Sequence, residues 1–158
     1  MQAQFTAIVN EHKGLIYKVA GAYCADAEDR KDLVQEILLQ LWRAFPRYDP
    51  QFKRSTWMYR IALNTAISFY RKDHRRRAAM APLPDDILVL EAEHPPPREA
   101  ALEQLHQFIS ALPELDRALM LLYLEDRSHA EMADILGLSV SNVGTKISRI
   151  RQQLKQKF

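Results

Sequence analysis

The amino-acid sequence predicts an all-α protein made of two small helical domains. Apolar residues recur at intervals of three and four over long segments, the spacing that gathers them on one face of a helix. Glycine is scarce, with 4 among 158 residues, and no stretch alternates apolar and polar residues as a half-buried strand would. Five of the eight prolines lie between residues 80 and 97, and no helix can cross their Pro-Pro-Pro run.

This proline-rich segment is the predicted boundary between the domains. We expect an N-terminal domain over residues 1–79, a flexible linker over 80–97 and a C-terminal domain over 98–158. A chain of this length suffices for two domains with modest cores, and its hydrophobic content of 47% favours folding over disorder.

Three helices are predicted in the N-terminal domain. The first covers about residues 4–23, and the third covers about residues 55–77. The second is capped by Asp26 and ends near Phe45, because Pro46 cannot continue it. The apolar faces of the three helices contain Phe5, Ile8, Val9, Leu15, Ile16 and Val19; Leu33, Ile37, Leu38, Leu41, Trp42 and Phe45; and Met58, Ile61, Ala62, Thr65 and Phe69.

Four helices are predicted in the C-terminal domain. Helical spacing covers residues 102–112, and Pro113 suits the first position of a helix that ends near Leu124. Ser128 and Glu131 have the spacing of a capping box and open a short helix.

Residues 128–151 have the layout of a helix-turn-helix. Gly137 stands where the turn needs a positive φ, and Ser139 can cap a last helix that reaches about residue 155. The outward face of that helix carries hydrogen-bonding and basic side chains and no acid, which suits a helix that reads base edges in the major groove. These side chains are Ser141, Asn142, Thr145, Lys146, Ser148 and Arg149.

The net charge of +2 conceals two basic blocks. Residues 51–79 contain eight cations and one acid, and residues 137–158 contain five cations and no acid. Two such blocks indicate two contacts with a polyanion, although a single block can equally be a solvated helix face. The first block also contains aromatic side chains on which unstacked bases could lie, although any one of them alone is more often part of a core. They are Phe52, Trp57, Tyr59, Phe69 and Tyr70.

Several other classes of protein are disfavoured. The single cysteine, Cys24, cannot form an internal disulfide, so we expect a buried thiol in a reducing cytosol. His129 begins an HAEMA segment that lacks the second histidine of a zinc-protease helix. No apolar run approaches the ~20 residues of a membrane span, and no secretory signal is recognisable at residue 1. We find no catalytic set and expect neither an enzyme nor a bound cofactor or metal.

Three segments between residues 5 and 155 resemble the bacterial sigma-70 family in its extracytoplasmic-function (ECF) group. Asp32-Leu-Val-Gln-Glu36 with Leu41-Trp42 is similar to the region 2 helix that grips the polymerase β′ subunit. The segment from Phe52 through Thr56-Trp57-Met-Tyr59-Arg60-Ile61-Ala62 to Asn64 is similar to the promoter-melting and minus-ten segment. Leu112-Pro113 and Ala130-Glu-Met-Ala-Asp-Ile-Leu-Gly137 are similar to region 4, which reads the minus-thirty-five element.

The resemblance implies a sigma factor that binds core RNA polymerase through the β′ clamp helices and the β subunit, recognises a promoter and melts it. It assigns polymerase contacts to Asp32, Gln35, Glu36, Leu39 and Trp42. It assigns the recognition of a minus-ten base to Asn64. The residues of region 2 that it assigns to DNA contacts are Lys53, Arg54, Trp57, Arg60, Asn64, Tyr70, Arg71 and Arg75. The residues of region 4 that it assigns to DNA contacts are Ser139, Ser141, Asn142, Thr145, Lys146 and Arg149.

The resemblance also implies an anti-sigma partner and a cytoplasmic protein that associates with the nucleoid when active. Two residues depart from the family pattern, since Ser68 replaces a common acid and Gly144 replaces a common basic residue. Both bear on which promoter is read. The alternative is a free-standing helix-turn-helix regulator that binds operator duplex without polymerase, and the arginine-rich third helix argues against it.

Overall fold

The computed structural model of the chain describes residues 1–79 and 100–157. Within these ranges every regular element is helical, which confirms the predicted all-α class. The predicted linker, residues 80–97, lies outside the described residues.

The N-terminal domain contains four helices. They are α1 (Gln2–Glu11), α2 (Lys13–Tyr23), α3 (Ala27–Ala44) and α4 (Arg54–Ala79), with a 3₁₀ turn at Phe45–Arg47 after α3. The short turn follows from Pro46, which lacks the amide that a continuing α-helix would use.

The single helix predicted over residues 4–23 is wrong, because the chain kinks between α1 and α2. His12 leaves the helical region with φ −112° and ψ 24°, and its carbonyl accepts a tight bond from the Leu15 amide at 3.1 Å. Gly14 weakens the helix at this point, since glycine in a helix interior costs about 1 kcal/mol relative to alanine. Ile8 of α1, before the kink, and Ile16 of α2, after it, are both buried.

Residues 100–157, the described part of the C-terminal domain, also contain four helices. They are α5 (Ala100–Ala111), α6 (Glu114–Leu124), α7 (His129–Leu136) and α8 (Val140–Lys157). Pro113 was predicted as the first residue of α6 but is its N-cap, because its ψ of 156° is extended.

The caps that bound α7 and α8 follow the predicted chemistry. The Ser128 hydroxyl accepts from the Glu131 amide at 3.1 Å, and the Ser139 hydroxyl accepts from the Asn142 amide at the same distance. The Glu131 carboxylate interacts with the backbone amide of Ser128, as a capping box requires, and also accepts from the Ser128 hydroxyl at 3.3 Å and from Arg127 at 3.1 Å. Gly137 has φ 69° between the two helices, as predicted for the turn.

The buried apolar side chains of the two domains form one core cluster, and each fully buried side chain contributes about 1.5–3 kcal/mol. In the N-terminal domain α3 packs against α2 and α4, and in the C-terminal domain α8 packs against α6 and α7. The central side chains are Ile16, Leu33, Ile37, Leu41, Met58 and Leu63 from the N-terminal domain and Leu119, Leu122, Met132, Val143, Ile147 and Ile150 from the C-terminal domain. Cys24 is buried, as expected.

The two domains also pack against each other, with α4 contacting α6 and α7. Arg117 of α6 lies in this interface with 4% of its surface exposed. Its guanidinium donates to the carbonyl oxygen of Ala22 in the other domain at 3.0 Å and lies over the rings of Tyr23 and Tyr70, 5.1 and 4.9 Å from their centroids.

Candidate functional site

A groove of about 940 Å³ runs between α3 and α4. It brings together four of the five predicted polymerase-contact residues and the predicted base-reading residue Asn64. The fifth, Trp42, lies outside the groove. The lining residues are Asp29, Asp32, Gln35, Glu36, Leu39 and Gln40 from α3 and Asn64, Thr65, Ser68, Phe69, Lys72 and Asp73 from α4.

The α3 wall combines acids with exposed apolar surface. Asp32 and Gln35 are exposed, and the half-buried Glu36 carboxylate accepts from the Gln40 amide at 3.0 Å. Leu39 is 41% exposed, and Trp42 next to it is 39% exposed. A large apolar side chain kept in solvent beside hydrogen-bonding groups is typical of a protein-binding surface.

The orientation of the Trp42 ring is fixed by contacts with Phe5 of α1. Its ring meets Phe5 edge to face at 5.1 Å between centroids, and Phe5 in turn meets Phe45 at 5.5 Å. Aromatic pairs of this geometry fix the ring while leaving one face available. The indole is therefore held at the surface of the domain.

The α4 wall offers hydrogen-bonding groups to the groove. Asn64 and Ser68 are exposed, and the Thr65 hydroxyl donates to the carbonyl of Ile61 at 2.7 Å. Phe69 is half-buried, Lys72 is exposed, and both line the groove. An amide and a hydroxyl that line one groove with an aromatic ring can recognise the edge and the face of an unstacked base.

The predicted cations of α4 and the loop before it are spread along the domain. Lys53 is exposed, and Arg54 pairs with Glu11 at 3.4 Å. Arg60 pairs with Asp134 at 2.9 Å, and Arg71 pairs with Glu114 at 2.7 Å. The exposed Arg75 donates to the Arg71 carbonyl at 3.4 Å.

The Arg71 guanidinium holds the pKa of the Glu114 carboxyl below its usual range, chiefly through their hydrogen bond. Glu114 belongs to the C-terminal domain, as does Asp134. Two of the arginines predicted to contact DNA thus contact carboxylates of the other domain.

The aromatic residues of this segment have different surroundings. Trp57 is half-buried beside Tyr48 and Phe45, at 4.8 and 6.4 Å between ring centroids. Phe52 is 52% exposed, whereas Tyr59 is 2% exposed. Tyr59 therefore does not belong to the exposed surface of α4, where the sequence pattern grouped it.

Tyr70 lies at the domain interface. Its half-buried ring stacks on His74 at 5.9 Å, meets Tyr23 at 6.3 Å and underlies the Arg117 guanidinium. Spacing within one helix could not distinguish an aromatic ring that packs against another domain from one that faces solvent.

The predicted surface of the helix-turn-helix lies along α8. Ser141, Asn142, Thr145 and Arg149 are exposed, and Lys146 is half-exposed. Three of them, Ser141, Thr145 and Arg149, line a shallow groove of about 570 Å³ together with Gly144, Ser148 and Gln152, whereas Asn142 and Lys146 lie outside it.

Two hydroxyls on this face have partners within the helix. Ser139 caps α8, and the Thr145 hydroxyl donates to the Ser141 carbonyl at 3.0 Å. Both oxygens keep a lone pair for another donor, since a hydroxyl accepts two bonds. Buried Val143, Ile147 and Ile150 hold the opposite face against the domain core.

In the described part of the chain no cluster of histidine, cysteine and acidic side chains could hold a metal ion. Over the same residues no helix is long and apolar enough to cross a bilayer.

Two models of one protein family match most of the chain. "Sigma-70 region 2" matches residues 8–77, and "Sigma-70, region 4" matches residues 102–154. The first match contains the α3–α4 groove, and the second contains the helix-turn-helix.

Curated relatives align along nearly the whole chain. ECF RNA polymerase sigma factor SigE of Mycolicibacterium smegmatis is 29% identical over 94% of this chain, which spans 59% of that relative's length. SigW of Bacillus subtilis is 29% identical, with 99% of this chain and 90% of SigW aligned. The ECF sigma-E factor of Escherichia coli is 28% identical, with 99% and 87% aligned.

Solved structures agree with the fold. CnrH in complex with the cytosolic domain of CnrY superposes with a TM-score of 0.69 at 25% identity, covering 99% of this chain and 88% of that one. RpoE of Bartonella quintana in complex with the anti-sigma factor NepR superposes with a TM-score of 0.76 at 18% identity, covering 97% and 95%. On the joint match of both regions, the chain belongs to the sigma-70 family of RNA polymerase sigma factors, in its extracytoplasmic-function group.

Proposed function

We propose that the chain binds core RNA polymerase, recognises a promoter at two elements and assists its melting. The observation that carries this proposal is the α3–α4 groove, where the acidic and apolar side chains of α3 face Asn64 across one cleft. A factor that must couple polymerase binding to base recognition needs both functions on one rigid domain.

The polymerase contact is assigned to α3. Asp32 and Gln35 offer exposed polar groups, and Leu39 and Trp42 offer apolar area that solvent would otherwise cover. In such a surface the apolar side chains supply affinity, and the charges around them orient the partner. This is the arrangement expected of a site that binds the β′ clamp helices. Contact with the β subunit is proposed from the family alone.

Base capture is assigned to Asn64 and the residues around it. Unstacking a base costs a few kcal/mol, and stacking on an aromatic side chain returns roughly 1–3 kcal/mol. Arg60, Arg71 and Arg75 lie on the same helix and could hold adjacent phosphates. The binding energy would then be directed into opening the duplex at the minus-ten element.

Duplex recognition at the minus-thirty-five element is assigned to α8. Asn142 and Arg149 are exposed side chains that can make bidentate contacts with adenine and guanine in the major groove. Each such contact contributes about 1–3 kcal/mol of discrimination between bases. The five cations of residues 137–158 would add phosphate contacts.

An anti-sigma protein is the proposed inhibitory partner, and the cytoplasm with the nucleoid is the proposed location. The solved structure of RpoE contains the anti-sigma factor NepR, and that of CnrH contains the cytosolic domain of CnrY. The likeness in fold extends over nearly the whole of this chain, which supports the same kind of binding here.

In vitro transcription of genomic DNA from the protein's own organism tests this function. Core polymerase supplied with the chain should initiate at a limited set of start sites that share two upstream sequence motifs. Core polymerase alone provides the baseline. Start sites identical with and without the chain would contradict the proposal and leave a free-standing DNA-binding regulator as the better account.

A further inference from the structure

Gly144 lies without a side chain on the face of α8 that is assigned to duplex recognition. It lines the groove of about 570 Å³ next to Thr145 and Ser148. Its backbone conformation does not require a glycine, since in the described part of the chain Gly137 is the only glycine with a positive φ. Glycine in a helix interior destabilises the helix relative to alanine. The room that Gly144 leaves on this face therefore calls for an explanation.

The space in front of Gly144 is bordered by a side chain of α7. A methyl group on the Gly144 α-carbon would lie 3.6 Å from Nδ1 and 3.9 Å from Cε1 of the exposed His129. Apart from the adjacent residues 143 and 145, no other side chain of the described residues comes within 4 Å of that point. Atoms in van der Waals contact are about 3.5–4.0 Å apart. The space thus admits a group of methyl size beside the imidazole ring.

Val140 precedes Gly144 by one helical turn. It is the first residue of α8 and is 52% exposed, whereas Val143 and Ile147 are buried in the core. Residues four apart lie on the same side of a helix, so Val140 and Gly144 share one flank of α8. An isolated apolar side chain on a protein surface needs no explanation. Here, however, the valine lies at the N-terminal end of a recognition helix, the end that contacts base edges.

The chemistry of this flank favours an apolar group of the DNA. Val140 offers methyl groups, and Gly144 offers a bare α-carbon. Glycine in such a position allows the backbone to approach a ligand closely. The only apolar group on the base edges of the major groove is the C5 methyl of thymine.

We propose that Gly144 selects a thymine in the minus-thirty-five element by admitting its C5 methyl to the space beside Val140 and His129. This inference rests on the proposed function, because it takes α8 as the helix that enters the major groove. A side chain at position 144 would hold the base edge away from the backbone of α8. The missing side chain thus acts as a determinant of base preference, next to the hydrogen-bonding groups of the same face.

The test uses polymerase holoenzyme reconstituted with the full-length chain. Its probe is a promoter duplex from a start site found in the transcription assay. Each thymine of the upstream motif is replaced in turn by uracil, which removes the C5 methyl and leaves the base-pairing edge unchanged. For at least one position, wild-type holoenzyme should bind the uracil duplex roughly two- to fivefold more weakly, the range expected for one buried methyl group.

Gly144→Ala is the diagnostic variant, because its added methyl lies at ordinary contact distance from His129 and α8 should stay folded. This variant should bind the thymine and uracil duplexes equally at that position. Val140→Thr, which replaces one methyl group by a hydroxyl, should reduce the preference for thymine. Gly21→Ala is the matched control and should keep the wild-type preference, since Gly21 is a helical glycine of α2 with open space around the added methyl.

Three results would overturn the inference. They are an equal thymine preference in Gly144→Ala and Gly21→Ala, no effect of uracil at any position, and an upstream motif without an A·T pair.

A duplex with a scrambled upstream motif separates the inference from the proposed function. If scrambling weakens binding of the wild-type holoenzyme but uracil does not, the methyl contact alone fails and duplex recognition by α8 stands. If scrambling has no effect, the duplex recognition assigned to α8 fails, and the methyl contact fails with it.

Discussion

Asn64 and Glu36 line opposite walls of one groove, Asn64 from α4 and Glu36 from α3. The side chain proposed to read a base thus lies across a cleft from a side chain proposed to contact polymerase. The two helices pack against each other, and Leu33 and Ile37 of α3 and Met58 of α4 are fully buried, so the walls are rigidly connected. Polymerase docked on α3 would therefore help to form the pocket in which the base is held.

Asn64→Ala should impair promoter use without impairing holoenzyme assembly. Loss of a side-chain contact with a base edge costs about 1–3 kcal/mol, so open-complex formation should fall roughly five- to hundredfold. Asn10→Ala is the matched control, because Asn10 is an exposed asparagine of α1 outside the groove. Permanganate footprinting of melted promoter DNA measures the effect. Equal footprints from the two variants would argue against a base contact by Asn64.

Arg117→Ala should loosen the association of the domains and lower the free energy of unfolding by about 2–4 kcal/mol. The substitution leaves buried carbonyls unpaired and creates a cavity between two tyrosines. Arg151→Ala is the control, because Arg151 is exposed and only lies over Tyr123 at 5.9 Å. Its effect should stay below about 1 kcal/mol. Urea denaturation gives both values, and similar losses in the two variants would contradict the role assigned to Arg117.

The packing of the C-terminal domain against α4 should become less stable at acid pH, in part because of Glu114. Its folded-state pKa is lowered, chiefly by the hydrogen bond from Arg71, so the favourable contribution is present above the ordinary glutamate pKa. That contribution is lost as the pH falls through the lower, folded value. The carboxyl of Glu114, followed by NMR, should titrate at a lower pH in the wild type than in Arg71→Gln. Coincident titrations would show that the ion pair does not form in solution.

Local sequence features predicted most of the helices and their caps. Ser128, Gly137 and Ser139 act through residues at most four positions away, so their spacing alone fixed the turn and both helix starts. The kink at His12 was missed because the apolar spacing of Phe5, Ile8 and Val9 continues smoothly toward Ile16. Backbone geometry at one residue leaves no trace in such a pattern.

The groove was only partly predictable. Family resemblance selected Asp32 and Asn64 separately, but their meeting across one cleft depends on how α3 packs on α4. The contacts of Arg60 with Asp134 and of Tyr70 with Arg117 join residues 74 and 47 positions apart in the sequence. No periodicity within a single helix encodes such contacts, and the acids of α6 and α7 gave no signal beyond a net negative charge.

Binding to core RNA polymerase tests the central claim most directly. Purified chain and core enzyme should form a stable complex, and Asp32→Ala/Gln35→Ala should weaken it at least tenfold, because both exposed groups lie on the α3 wall of the groove. Glu103→Ala/Gln107→Ala, an exposed acid and amide on α5, should bind like the wild type. Absence of any complex with core enzyme, or equal affinity of the two double variants, would contradict the account.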